Sequence, residues 1–328
     1  MKKTSNQPKL NNWLVFWRLT KRHFFVFTRN KMRMFFTLMV PIIILLIYVL
    51  FLRRLEMDSV SKALPQINEK VLAVFMDSWF LSGNVALCSI SISIQTNNIL
   101  INDKESGVTK DFASAPIPRT IVTLSYVFFN FLITFIMCFA FQLITLIFLA
   151  IMGEFYLSFI DILTVVGILA FIVINACAFT SLICSFIRKE ATLASIIAVM
   201  SACVGFLIGS FMPLSLMPKL MQDICFFIPG THATCLMRYA YLKAPLEHFK
   251  GVVSDPAQLE ILKNQVGYNA VFYIRDLMTS VDLAKNPAAQ GGVIITPDIQ
   301  ACILSGYTGL FVGFNILNRK NNLKTNIK

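Results

Sequence analysis

The most reactive side chains in this 328-residue sequence are three histidines, His23, His232 and His248, and eight cysteines. None is spaced for catalysis or metal binding. There is no His-Glu-x-x-His run, no Gly-x-Ser-x-Gly and no Cys-His pairing in adjacent sequence. Cys88, Cys138, Cys177, Cys184, Cys203 and Cys302 lie in apolar stretches, where a thiol behaves as a small hydrophobe. Only Cys225 and Cys235 fall outside them, and the sequence leaves a disulfide between these two undecided. Gly-Lys occurs nowhere, so the chain carries no G-x-x-x-x-G-K-[ST] phosphate loop. An enzyme is the weakest reading.

Spacing is informative elsewhere. Asp103-Lys104-Glu105-Ser106-Gly107 leads into Val108-Thr-Lys-Asp-Phe112-Ala-Ser-Ala, which ends at Pro116, Pro118 and Arg119. The glycine suits a sharp turn, and the stretch after it reads as a short helix stopped by prolines. Such a helix can transmit a push from a partner, although from the residues alone a solvated connecting loop is the simpler reading. Ser89, Ser91, Ser93 and Asn97 make one apolar stretch unusually polar, which suits either a cavity wall or hydrogen bonds between helices. Gly205-x-x-x-Gly209 and Gly309-x-x-x-Gly313 permit close helix approach. Pro213, Pro218 and Pro229, followed by Arg238, divide another apolar stretch into pieces too short to cross a bilayer, a pattern of re-entrant or interfacial helices. Near the start, Trp13, Phe16, Trp17, Phe24 and Phe27 fall on one side of a helical wheel, with Arg18, Arg22 and Arg29 opposite. This describes a helix lying in the headgroup layer.

The elements that carry these residues follow from the composition. The chain is 56% apolar and 14% charged, with mean hydropathy +0.70, against about 25% charged in a soluble domain. Stretches without Asp, Glu, Lys, Arg or His run over 34–52, 79–99, 120–152, 162–187, 191–211 and 299–317. Each is long enough to span, so we expect an all-α integral membrane protein with six transmembrane helices. The expected parts are a tail and interfacial helix over 1–33, helices one to five over 34–211 with a connecting segment at 100–119, a re-entrant and folded external segment over 212–298, and helix six with a tail over 299–328. Asp255-Pro256 is a good start for an external helix carrying Leu259, Leu262 and Val266.

Charge then orients the chain. Residues 1–33, 100–119, 188–190 and 318–328 hold 18 basic and 4 acidic side chains, and the remainder 11 basic and 13 acidic, which sums to the overall +12. The positive-inside rule puts both termini in the cytoplasm. The basic surplus is therefore membrane topology, and nucleic acid is excluded as a partner. Arg53 and Arg54 lie on the other side, against the rule, and snorkelling to the outer headgroups accounts for them.

In their order and spacing these features resemble the membrane subunit of type-2 ABC exporters. Glu105-x-Gly107 with Phe112, Pro116 and Arg119 is similar to that family's coupling loop. Pro213, Met217-Pro218, Pro229 and Arg238 are similar to its Pro-punctuated re-entrant segment. The resemblance implies a permease in the cell membrane, built as a homodimer or a paralogous heterodimer. A separate ABC ATPase would touch each copy through the coupling loop and the turn at Arg188, Lys189 and Glu190. It implies no cofactor on this chain, with ATP and Mg on the partner ATPase. A lipophilic or amphipathic cargo, drug-like before antimicrobial peptide or lipid-linked glycan, would leave by alternating access. The absence of carboxylates from all six stretches argues against a proton-coupled transporter. An ATP-independent channel or secondary transporter is the alternative.

Overall fold

A computed structural model describes residues 11–55, 57–58, 69–153, 155–211, 217–249, 270–273, 292–295 and 297–325. Helix α1 covers Asn12–Arg29 and α2 covers Lys31–Ile47, running on into a π-helical turn at Tyr48–Leu52. Next come α3 (Glu69–Thr96), α4 (Asn98–Glu105), α5 (Val108–Ser114), α6 (Arg119–Ile151) and α7 (Phe159–Phe186). The chain continues through α8 (Glu190–Leu207), α9 (Lys219–Phe226), α10 (Pro229–Phe249) and α11 (Pro297–Thr325). Between the last two, Ala270–Tyr273 and Gly292–Ile295 pair antiparallel, with Ala270 opposite Ile295.

Among the described residues, four helical stretches are long and apolar enough to cross a membrane: Lys31–Leu55, Leu72–Glu105, Arg119–Ile151 and Phe159–Phe186. The stretches expected as the fifth and sixth spans lie in α8 and α11. The bundle inverts the rule of a water-soluble core. The Leu72–Glu105 stretch is the least apolar of the four and its most apolar 18 residues are all buried, whereas Lys31–Leu55 is the most apolar and only 17% of the corresponding residues are buried. In lipid an apolar helix loses nothing by standing at the edge, while a helix carrying serines, asparagines and an aspartate must turn them onto protein partners. Helix α3 is accordingly the central element, packed by α10, α6, α7 and α2.

Local chemistry fixes the helix ends. The Asn11 side chain accepts from the Trp13 N–H at 3.1 Å, and the Asn30 side chain caps α2 by accepting from the Arg33 N–H, also at 3.1 Å. Helix α7 starts with a capping box between Ser158 and Asp161. Pro218 immediately precedes α9 and Pro229 is the first residue of α10, the helix position proline tolerates best.

Four expectations need correction. First, α3 starts ten residues before the predicted span and so carries Asp77, a carboxylate with no solvent exposure. Arg53 does not snorkel to headgroups. Its Nε lies 3.0 Å from both Asp77 oxygens and its Nη2 lies 2.9 Å from Oδ2, while the Tyr48 hydroxyl donates to Oδ1 at 2.7 Å. Second, the segment after Pro229 is not a short piece, since α10 runs for 21 residues through Arg238 and packs along α3, α7 and α11. Third, Gly205 makes room for a reversal of its own chain. A Cβ there would stand 2.1 Å from the Phe211 ring, and Gly209 ends α8 at φ +68°. Fourth, a Cβ on Gly309 or Gly313 would meet nothing within 4 Å among the described residues, so these glycines bring no described helix of this subunit close. Pro213 and the helix expected at Leu259, Leu262 and Val266 lie outside the described residues.

Candidate functional site

At one end of the bundle, α1, the α4–α5 pair and the turn between α7 and α8 come together. The local sequence explains how. Helix α3 ends at Thr96, and α4 adds two turns before Ser106 and Gly107 reverse the chain. Gly107 stands at φ +86° with open space around it, so only the backbone conformation demands glycine. Its carbonyl accepts from the Lys110 N–H at 2.8 Å and starts α5, which ends at Ser114, with Ala115 extended before Pro116.

Two side chains of α4 hold the α7–α8 turn. Lys104 Nζ donates to the carbonyls of Cys184 at 2.9 Å and Ile187 at 3.2 Å, satisfying acceptors at the end of α7 with a cation, the charge that end favours. The Glu105 carboxylate accepts from the Glu190 N–H at 2.7 Å, at the start of α8, where an anion is favoured. Beneath them Ile94, Ile101, Cys184, Ile187 and Leu193 form an apolar cluster. The two connecting segments are thus one folded unit. Its exposed surface includes Glu105, Lys110, Asp111, Pro116, Arg119, Arg188 and Lys189, while Phe112 is half-buried.

Helix α1 is fastened to the same unit through Arg22. Arg22 Nη1 donates to Asp103 Oδ2 at 2.7 Å and Nη2 to Oδ1 at 3.0 Å, a two-pronged pair, and the Tyr126 hydroxyl donates to the same carboxylate. The Arg22 guanidinium lies 5.4 Å from the centre of the Phe112 ring. The Asp103 hydrogen bonds raise the Arg22 pKa above its ordinary value. Next to it, His23 is fully buried and stacks on Tyr126 with ring centres 3.9 Å apart. Burial, then the neighbouring Arg22 charge, push the His23 imidazole down to about 4. The neutral ring fits its contacts: Nδ1 accepts from Arg22 Nη1 at 3.3 Å, and Nε2 donates to Ser125 Oγ at 3.2 Å, which donates to the Val122 carbonyl at 2.6 Å. Asp103, Tyr126 and His23 were not recognisable as functional from the sequence. The one available signal was that Asp103 and Arg22 each stood in a segment already singled out.

The interfacial helix is only partly as expected. Trp13 and Trp17 are exposed with Arg18 and Arg29, but Phe16 and Phe27 are buried, and Phe16 and Trp17 both pack on Phe128 of α6. Arg22 belongs to the ion pair and not to a free basic face. Two of the four polar residues singled out along the 79–99 stretch, Ser93 and Asn97, bond to neighbouring helices. Ser93 Oγ lies 2.6 Å from Thr180 Oγ1 and accepts from Asn130 Nδ2 at 3.1 Å, and Asn97 Nδ2 donates to Thr180 Oγ1 at 3.1 Å. Ser89 donates to the Ala86 carbonyl at 2.7 Å, and Ser91 is buried as well. Ser93 and Asn97 thus bond between helices, while the Ser89 hydroxyl bonds within its own helix.

At the other end, Arg238 of α10 is fully buried. It donates to the Gly209 carbonyl and lies 4.1 Å from the centre of the Trp79 ring, while Gly83 leaves space where a Cβ would meet its Nη2 at 3.1 Å. Arg238 thus ties α10 to the end of α8. Pro218 and Pro229 serve as helix starts on either side of α9. Cys225 and Cys235 are free thiols buried in one small cluster.

The family model described as ABC-2 type transporter matches residues 15–242, more than half of the chain, from the first turn of α1 into the second half of α10. The chain belongs to that family. It is the membrane subunit of a type-2 ABC transporter, a multi-pass permease component that is not itself catalytic. No curated relative matches the chain.

Proposed function

We propose that this subunit forms the transmembrane pathway of an ATP-driven exporter, with both termini and the α1, α4 and α5 end in the cytoplasm of a plasma-membrane assembly. Helices α8 and α11 complete six spans. Two copies, identical or paralogous, pair in the bilayer, and a separate ATPase, which holds the ATP and Mg, docks at the exposed surface from Glu105 to Arg119 and at Arg188 and Lys189. The cargo is lipophilic or amphipathic, drug-like first, because Glu190 is the only charged residue of α8 and the faces left open on α8 and α11 carry Val199, Phe206, Leu310 and Phe314.

The observation that carries this reading is the Glu105 bond to the Glu190 N–H. Two connecting segments 85 residues apart in sequence form one body, so a push on α5 is delivered at once to α3, α6, α7 and α8. A loop that merely connected two spans would have no need of that bond. ATP binding would draw the two ATPases together, move this body and open the pathway outward.

The test is to co-express the chain with its ATPase and compare cargo-stimulated ATP hydrolysis with transport in vesicles. Glu105→Ala should uncouple the two while Glu105→Gln, which keeps an acceptor oxygen, retains most coupling. Gly107→Ala imposes about 1–2 kcal/mol of left-handed strain and should also uncouple without loss of membrane insertion. Unchanged transport in both Glu105→Ala and Gly107→Ala, or transport by the subunit alone in ATP-free vesicles, refutes the proposal.

A further inference from the structure

Helices α1 and α2 meet at Asn30, and their elbow holds an open cleft of about 630 Å3 lined by Val26, Arg29, Asn30, Lys31 and Met32. Arg29 and Lys31 are exposed, and among the described residues neither side chain has an ion-pair or hydrogen-bond partner. The same cleft exposes two apolar side chains, Val26 at 43% and Met32 at 65%. Nearby sequence supplies no counter-charge, because Glu56 is the first acidic residue of the chain. Asp103, the carboxylate that reaches α1, is already held by Arg22.

Helix electrostatics sharpen the point. Helix α2 opens with Lys31 and Arg33 and has no acidic residue in its first turn, so cations stand at the positive end of the helix dipole, where anions are favoured. The Asn30 cap satisfies an N–H but brings no charge. What is missing is an anion with an apolar body. A soluble phosphate would meet the cations and leave Val26 and Met32 in water, whereas a phospholipid meets both.

We infer that this elbow is a binding site for an anionic phospholipid of the cytoplasmic leaflet, its phosphate between Arg29 and Lys31 and its glycerol and acyl part along Val26 and Met32. The inference rests on the proposed placement of α1 at the cytoplasmic surface. It also gives α1 a second hold. Arg22, which grips Asp103, lies two turns earlier on the same helix, ~10 Å away, so a lipid at the elbow steadies the helix that grips the coupling body.

The experiment uses the full chain in nanodiscs of phosphatidylcholine, alone or mixed with phosphatidylglycerol. Lipid retained after delipidating washes is read by native mass spectrometry. Selective retention of phosphatidylglycerol is expected. The variant Arg29→Gln with Lys31→Gln should retain it about thirtyfold less, at two basic contacts removed. Arg18→Gln with Lys21→Gln, which removes the same charge from exposed positions of α1 outside the cleft, should retain it as the parent does. Equal loss in the two variants would mean diffuse attraction and overturn the site. Displacement of the lipid by soluble glycerol phosphate would mean a site for free phosphate and overturn it too. Retention requires neither ATPase nor transport, so its failure leaves the exporter proposal standing. Loss of coupling tests that proposal separately.

Discussion

Replacing Arg22 by Met removes a charge, the two hydrogen bonds to Asp103 and the one to His23 while keeping a side chain of similar length. It leaves the Asp103 carboxylate, on a residue only 6% exposed, with the Tyr126 hydroxyl alone. Breaking a buried ion pair on one side costs about 3–5 kcal/mol. The Arg22 side chain is 34% exposed, so water screens the pair and reaches the orphaned oxygens, and about 2 kcal/mol is the discounted value. That loss falls on the attachment of α1, not on the bundle as a whole, because α1 reaches α4 through this pair. Hydrogen exchange of α1 amides reads it directly: about 2 kcal/mol less local protection is about thirtyfold faster exchange. Asp103→Asn should accelerate exchange less, since the half-exposed guanidinium it frees can be solvated. Combining the two leaves no buried charge, and the double variant should lose less than the sum of the single losses. Parental protection of α1 in Arg22→Met, or strict additivity in the double variant, would refute the reasoning.

His23 and Asp77 give two further predictions. The folded-state pKa of His23, at about 4, lies below the ordinary 6.5, so the unfolded chain takes up a proton that the folded chain refuses. Stability from this group is complete above pH 6.5 and falls as pH drops from there toward 4, by about 3 kcal/mol at 1.36 kcal/mol per pKa unit. Thermal unfolding against pH should therefore be flatter in this window for His23→Gln, and parallel profiles would contradict it. Arg53→Met strands Asp77, which has no solvent exposure, with only the Tyr48 hydroxyl and should cost about 3–5 kcal/mol. Melting of the purified subunit should show a large drop that Arg53→Met with Asp77→Asn largely recovers, and equal melting of Arg53→Met and parent would remove the pair from the account.

Much of the helix pattern was legible because the bilayer imposes it. A run without charge of spanning length has few other uses, and the helical character of 34–52, 120–152 and 162–187 could be read from charge alone. The turn at Gly107 and the stop at Pro116 were legible because each rests on one residue's backbone preference. The start of α3 was not. Asp77 interrupts the uncharged run, and only a partner 24 residues away makes a carboxylate tolerable there. The serines of α3 were ambiguous for a related reason: a hydroxyl facing a pathway and one facing Thr180 look alike until the neighbouring helix is in place. Gly205 misled in the same way, since the spacing of two glycines says nothing about which atoms, here the Phe211 ring, fill the space they leave.

By itself the sequence determined that this chain lies in a membrane, which segments are helical, and which connecting segments carry unusual chemistry. These follow from composition and short-range backbone preference, which act within a few residues. The tertiary structure alone decided that the most polar helix sits at the centre and the most apolar at the edge. It also decided that Arg22 grips Asp103, that Glu105 binds the start of α8, and that Arg53 neutralises Asp77. Each of those pairings joins residues between 24 and 85 positions apart. Their energies depend on distance and burial, which no local pattern in the sequence contains.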